Sequence, residues 1–452
     1  MIWSQLGTTI AGESAGDYSG WSVSLSDDGT IVAIGAYGND KNGDQSGHVR
    51  IYKYTNGSWT QLGDDIDGDA AGDYFGESVS LSADGTILAI GAEGDDYAGA
   101  ESGSVSIYQY SNNSWNQLGN FIEGDNAGDF FGRSVSLSED GTTVAIGAYG
   151  AYAEIWQYSN NSWNQLGDDI RGEYSYQNSF SVSLSADGTI VAIGEEGDDY
   201  SGTNSGSVSI FQYSNNSWNQ LGDAIDGEAA GDYSGSSISL SEDGTIVAIG
   251  AYGNDANGDQ SGHTSIFQYS NNSWTQLGDD IDGYAAGDNS GWSVSLSDDG
   301  KIVAIGAYGN DGNGDESGHV RIYKYTNGSW TQLGNDINGD DAGDNFGNSV
   351  SLSDDGTIIA IGADYSDDNG TNSGHVRTFT TQIRDGVEVA QVNSSYTADS
   401  NGFSSVNGSA PVTITAYTIG QETTLDSIKD YGGSLHAGDN LAATASSYKY
   451  QG

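Results

Sequence analysis

Three short strings carry oxygen-bearing side chains at alternate positions: Asp40-Lys41-Asn42-Gly43-Asp44, Asp255-Ala256-Asn257-Gly258-Asp259 and Asp311-Gly312-Asn313-Gly314-Asp315. A weaker fourth reads Asp367-Asp368-Asn369-Gly370-Thr371. Alternating oxygens with a glycine at the bend suit a hard cation such as Ca2+. The expected calcium ligands are Asp40, Asn42, Asp44, Asp255, Asn257, Asp259, Asp311, Asn313, Asp315, Asp367 and Asn369. No distal glutamate completes the set, and the same strings read equally as Asn-Gly turns with solvated carboxylates. A histidine follows each string: His48, His263, His319 and His375. No catalytic group stands out. The chain has no cysteine, which excludes disulfides, thiolate metal sites and thiol nucleophiles. It shows no Ser-His-Asp spacing and no phosphate loop, and paired carboxylates are too common to be diagnostic.

The elements that must position these strings form a repeat. The run Ser22-Val23-Ser24-Leu25-Ser26-Asp27-Asp28-Gly29-Thr30-Ile31-Val32-Ala33-Ile34-Gly35-Ala36 returns from Ser78, Ser134, Ser181, Ser237, Ser293 and Ser349. Alternating small polar and apolar residues, then Asp-Gly, then an apolar run read as strand, hairpin turn and fully covered strand. A second marker, Trp-x-Gln-Leu-Gly, begins at Trp3, Trp59, Trp115, Trp163, Trp218, Trp274 and Trp330. One unit therefore holds strand A (22–26), strand B (31–36), strand C (49–54) and strand D (58–62), with a loop over 63–76. Seven such units predict an all-β, seven-bladed propeller over residues 1–380. The chain opens on a D-type strand at 2–6, whereas the seventh unit has no D strand of its own. The N-terminal strand is thus expected to complete the last blade against residues near 376–380, removing two sheet edges.

In this architecture the B–C and D–A loops leave one face. That face carries the four acidic strings and the residue just before each A-strand serine: Trp21, Glu77, Arg133, Phe180, Ser236, Trp292 and Asn348. The position varies while its neighbours repeat, which marks either a binding rim or a tolerant channel mouth. Trp21 and Trp292 suit stacking on a sugar or packing on a protein partner. The repeated marker Trp reads as a packing anchor, and the Asn-x-Ser sequons at Asn56, Asn112, Asn160, Asn215, Asn271 and Asn327 read as C–D turns. Unit four is irregular at Glu173-Tyr174-Ser175-Tyr176-Gln177-Asn178-Ser179-Phe180, and unit three lacks most of its B–C loop.

The formal net charge is −52, and the repeats hold most of it, with 57 acidic against 9 basic residues up to Phe379. Such a surface repels nucleic acid and anionic membranes and attracts divalent cations. No run is long enough for a membrane-spanning helix. The first residues already belong to a repeat and do not read as a signal peptide. Past residue 380 the pattern stops. Val387–Val392 and Val412–Ile419 read as strands of a small β-rich tail, and residues 425–452 as a different small segment.

On Phe75-Gly76, Phe131-Gly132, Phe346-Gly347, the Gly35-Ala36-Tyr37 copies and Ser-Gly-His-Val-Arg-Ile-Tyr at 46–52, the repeats resemble the FG-GAP family, found in integrin α subunits and many bacterial surface proteins. The tail resembles C-terminal segments of marine cyanobacterial surface proteins. The first resemblance implies a propeller and a secreted or cell-surface adhesion or interaction module, with a protein or glycan partner. The family's calcium loops lie between strands A and B; here a tight Asp-Gly turn leaves no room for them. Other functions stay open, a lectin or a structural subunit of a surface layer or filament assembling through the tail; the chain is not read as an enzyme, the class weighed against that reading being a polysaccharide-degrading enzyme. The last would need acid, base and aromatic groups converging in the central channel.

Overall fold

The computed structural model describes residues 2–149, 152–172 and 180–381, with only the backbone for Phe180 and, past residue 381, for three short strand pairings. The irregular loop over 173–179 and most of the expected tail strands and segment lie outside the described residues. Ile2–Thr380 form one compact unit. It consists of seven antiparallel sheets arranged as the blades of a propeller.

In the first blade, strand A is Ser22–Leu25, B Ile31–Ala36, C His48–Thr55 and D Ser58–Gln61. Each blade also has a fifth strand that the sequence reading left inside a loop. In blade one it is Ile66–Asp67, which pairs with His48 and Val49 while strand D pairs with the other end of the same long strand C. D and this strand E are thus one edge interrupted over Leu62–Asp65. The interruption has a packing cause. Gly63 takes φ +84, and a Cβ there would sit 2.9 Å from the Trp115 ring of the next blade. The Nε1–H of Trp115 donates to the carbonyl of Leu62 at 2.8 Å. The same bond recurs from Trp3, Trp59, Trp163, Trp218, Trp274 and Trp330 to a leucine of the preceding blade. Trp-x-Gln-Leu-Gly is therefore both a plug and the socket for the next plug, which explains why its Trp and its Leu-Gly repeat together.

The serines of strand A have an equally specific task. Strand A is the inner edge of its blade, and unpaired edge groups need partners. Ser24 Oγ accepts the backbone N–H of Leu81 at 3.0 Å. The relation repeats through Ser80, Ser136, Ser183, Ser239 and Ser295 to Ser351, which accepts from Leu25 and closes the circle. Strand B is buried along its whole length in blade one. The core lies between blades: Ile31, Val49 and Ile51 of one pack with Val79, Leu81, Leu88 and Ile90 of the next. The ends close as the sequence predicted. Ser4–Gln5 pair with Thr380–Phe379, and Ile10–Ala11 pair with Val376–His375. The C–D turns also match, with Asn56 at φ 52 and Gly57 at φ 88.

Candidate functional site

The B–C and D–A loops are laced together on one face. The N–H of Gly72 donates to the carbonyl of Asp44 at 2.9 Å, and that of Phe75 to Ser46 at 3.2 Å. Within the string of blade one, Asp40 Oδ1 accepts the N–H of Gln45 at 2.8 Å, while Asn42 Nδ2 donates to the carbonyl of Gly68 at 2.7 Å. Asp255 and Asn257, Asp311 and Asn313, and Asp367 and Asn369 repeat both bonds. The Asp bond also forms in units without the full string, through Asp96 and Asp199. These residues thus shape the loop, and Asp44, Asp259 and Asp315 share its tip. Among the described residues, three titratable ligand groups come within 4.8 Å of one another in two places, neither of them a string: Glu13–His48–Asp65 and Glu139–Glu242–Asp298.

The variable rim residues do converge. Trp21, Glu77, Arg133, Ser236 and Trp292 line a cavity of about 230 Å³ at the channel mouth, together with Ser134, Ser181, Glu196 and Tyr252. Asn348 lies beside it, accepting from Trp292 Nε1 at 2.9 Å and donating to the Trp21 carbonyl at 3.4 Å. For Phe180 only the backbone position is described, at the start of its strand A. Arg133 Nη1 pairs with Glu93 Oε2 at 3.0 Å. Burial, reinforced by the Glu93 charge, pushes the Glu77 carboxyl up to about 8, against the pull of Arg133 and a hydrogen bond from the Trp21 indole. Burial likewise raises Glu196.

A second variable ring supports the first. The residue after strand B is Tyr37, Glu93, Tyr149, Glu196, Tyr252, Tyr308 or Asp364. The Trp21 ring meets Tyr37 edge-on at 4.9 Å, and Trp292 meets Tyr252 and Tyr308 at the same distance. Tyr37 and Tyr252 are in turn stacked on Tyr18 and Tyr233. The indoles are held from below and present their remaining surface to the mouth. The sequence reading missed this ring, although variation behind Gly-Ala (Gly-Glu in unit four) was the visible sign.

The opposite face carries the A–B turns. Asp28 Oδ1 accepts from Ser26 Oγ, Thr30 N and Thr30 Oγ at 2.7–2.9 Å. Burial alone would raise this carboxyl, but the three bonds outweigh it and hold it low. The turn is satisfied from within, consistent with the absence of an A–B cation loop. The residue before it forms a closed backbone ring: Asp27 N–H donates to Ala83 O, and so on through Glu139, Ala186, Glu242, Asp298 and Asp354 back to Asp27. Five of the seven are acidic. Burial, then the charges of Asp298 and Asp27, push Asp354 up to about 9. This mouth, too, was not anticipated; its sign was the changing residue between Ser and Asp-Gly.

A family model described as FG-GAP repeat matches residues 3–52, 65–108, 115–161, 224–267, 282–323 and 338–379. The longest stretch between its matches, 162–223, holds the irregular fourth unit. Among curated proteins, none matches the chain. Among solved structures, one chain in a crystal structure of a mitotic checkpoint complex is similar, with a TM-score of 0.54 and 15% identity, covering 84% of this chain and 93% of that one. At that identity the likeness concerns the fold alone.

Proposed function

Because the chain belongs to the FG-GAP repeat family and closes its repeats into one propeller, we propose that it is a secreted or cell-surface adhesion and interaction module. Its partner, a protein or a glycan, binds at the loop-face mouth of the channel. One observation carries this reading: in an array of near-copies, five of the seven varying residues before strand A meet around one cavity, with Trp21 and Trp292 buttressed and Arg133 among carboxylates. Buttressed aromatic and guanidinium groups are what interface anchors are made of. The cavity of about 230 Å³ is smaller than the ~300 Å³ at which small-molecule pockets begin. That favours insertion of one side chain or one sugar unit from a larger partner. The charge of −52 sets the partner class further, since nucleic acid and anionic membrane are repelled. Calcium enters as a counter-ion of the acidic loop face, tested by calorimetric titration at fixed ionic strength.

The experiment is binding of the protein and of a Trp21→Ala/Trp292→Ala variant to arrayed glycans and to intact cell surfaces. Binding lost in the variant, with an unchanged melting temperature, supports the mouth as the site. Equal binding by both moves the site elsewhere. A second reading has one observation in its favour. Glu77 and Glu196 stand beside Arg133 and two indoles, the convergence set above as the mark of a polysaccharide-degrading enzyme. Release of reducing sugar from arrayed polysaccharides, abolished by Glu77→Gln, would establish that reading. Assembly into a layer or filament through residues 381–452 is separated by comparing sedimentation of the full chain with that of residues 1–380.

A further inference from the structure

The four histidines that follow the acidic strings occupy equivalent places and differ in what they touch. His375 Nδ1 is 3.0 Å from Asp368 Oδ2. His263 Nε2 lies 3.4 Å from Ser265 Oγ. His319 packs edge-on against Tyr284, with ring centroids 5.8 Å apart. His48 alone has both ring nitrogens fully buried without a hydrogen-bond partner, and it is 0% exposed. A buried polar group without a partner is expensive and calls for an explanation, an ion among them.

What His48 does face is a pair of carboxylates. A ring nitrogen of His48 and carboxylate oxygens of Glu13 and Asp65 all lie within 4.8 Å of one another. Three separate elements bring them together. His48 opens strand C of the first blade, Asp65 ends the break before strand E, and Glu13 comes from the loop that follows the N-terminal strands in the last blade. Glu13 is about half exposed, at 47%, and opens the site to solvent. Lys41 occupies the anionic surroundings, with its ammonium 2.8 Å from Asp67 and 3.6 Å from Asp65. Arg50 approaches Glu13 at 3.7 Å from the protein side.

The geometry points to a divalent transition-metal site at Glu13, His48 and Asp65, with Zn2+ as the typical occupant and solvent completing the coordination. The donor set selects the metal class. One imidazole nitrogen with two carboxylates suits Zn2+ and its neighbours, whereas Ca2+ takes oxygens alone. Blade five keeps the residue types as Glu228, His263 and Asp280, but there Ser265 donates to Asp280, and among the described residues only the blade-one set comes within 4.8 Å. Glu13 is replaced by Tyr284 in blade six, and in blade seven Asp368 takes the imidazole. Lys41 is a swinging counter-ion that the metal displaces; at 52% exposure its ammonium is free to move into solvent.

The test is titration of the full chain with Co2+, followed by visible absorption, and with Zn2+ by calorimetry, in salt high enough to suppress diffuse binding to the acidic surface. The expected result is one saturable equivalent with a ligand-field band. Glu13→Gln and His48→Gln should each weaken it at least tenfold, and Lys41→Ala should tighten it several-fold. Ca2+ in excess should leave the band in place. Glu13 is exposed enough for its variant to fold even if His48→Gln does not. Absence of a saturable equivalent, or one that Glu13→Gln leaves unchanged, overturns the site.

Discussion

Asp364 offers the sharpest test of the tertiary packing. It is 0% exposed, and neither carboxylate oxygen has a hydrogen-bond partner. Burial pushes its carboxyl from the ordinary 3.8 up to about 8, opposed only by its own backbone N–H, which is close but does not form a hydrogen bond. The native state therefore keeps a proton that the unfolded chain releases. The sign follows: this contribution to stability is complete below pH ~4 and is lost as pH rises toward ~8. Within that window the loss is ~1.4 kcal/mol per pH unit, so ~2.7 kcal/mol between pH 5 and pH 7. With an unfolding entropy of ~2.1 cal/mol/K per residue, a unit of this size loses about 3 °C of Tm for that change. Asp364→Asn keeps the shape and removes the titration. Calorimetric melting of both proteins at pH 5 and pH 7 is the assay. The wild-type Tm should fall about 3 °C more than the variant's. Parallel melting curves across this range would show that the carboxyl is charged in the native state, and the account of its burial would be wrong.

Three further outcomes are expected. Trp163→Phe keeps the ring contact with Tyr158 but deletes the 2.8 Å bond to the Leu118 carbonyl, and should cost ~1 kcal/mol and about 1 °C of Tm in calorimetry. Deleting residues 1–11 removes both pairings with residues 375–380 and bares a sheet edge, so the product should self-associate in size-exclusion chromatography where the full chain does not. Arg133→Met leaves Glu77 and Glu93 without their cation, and its Tm deficit should grow as pH rises through about 8, where Glu77 ionises; a deficit independent of pH would mean that Arg133 acts through packing alone.

The sequence by itself determined the blade count, the strand order and the closure, because each follows from local chemistry repeated seven times. Asp-Gly and Asn-Gly turns set the hairpins, the apolar run of strand B demands cover on both faces, and a D-type strand at the N-terminus must find the blade that lacks one. It also located the rim, since Trp21, Glu77, Arg133 and Trp292 stand out against constant neighbours. Only the tertiary structure decided what those residues meet. The fifth strand depends on a tryptophan from the next blade, which no single unit contains. The tyrosine ring under the indoles, the carboxylate ring on the opposite face and the meeting of Glu13 with His48 and Asp65 each join residues from different blades. Seven-fold closure places them together, and a linear repeat carries no record of which side chains meet across the channel or between neighbouring blades.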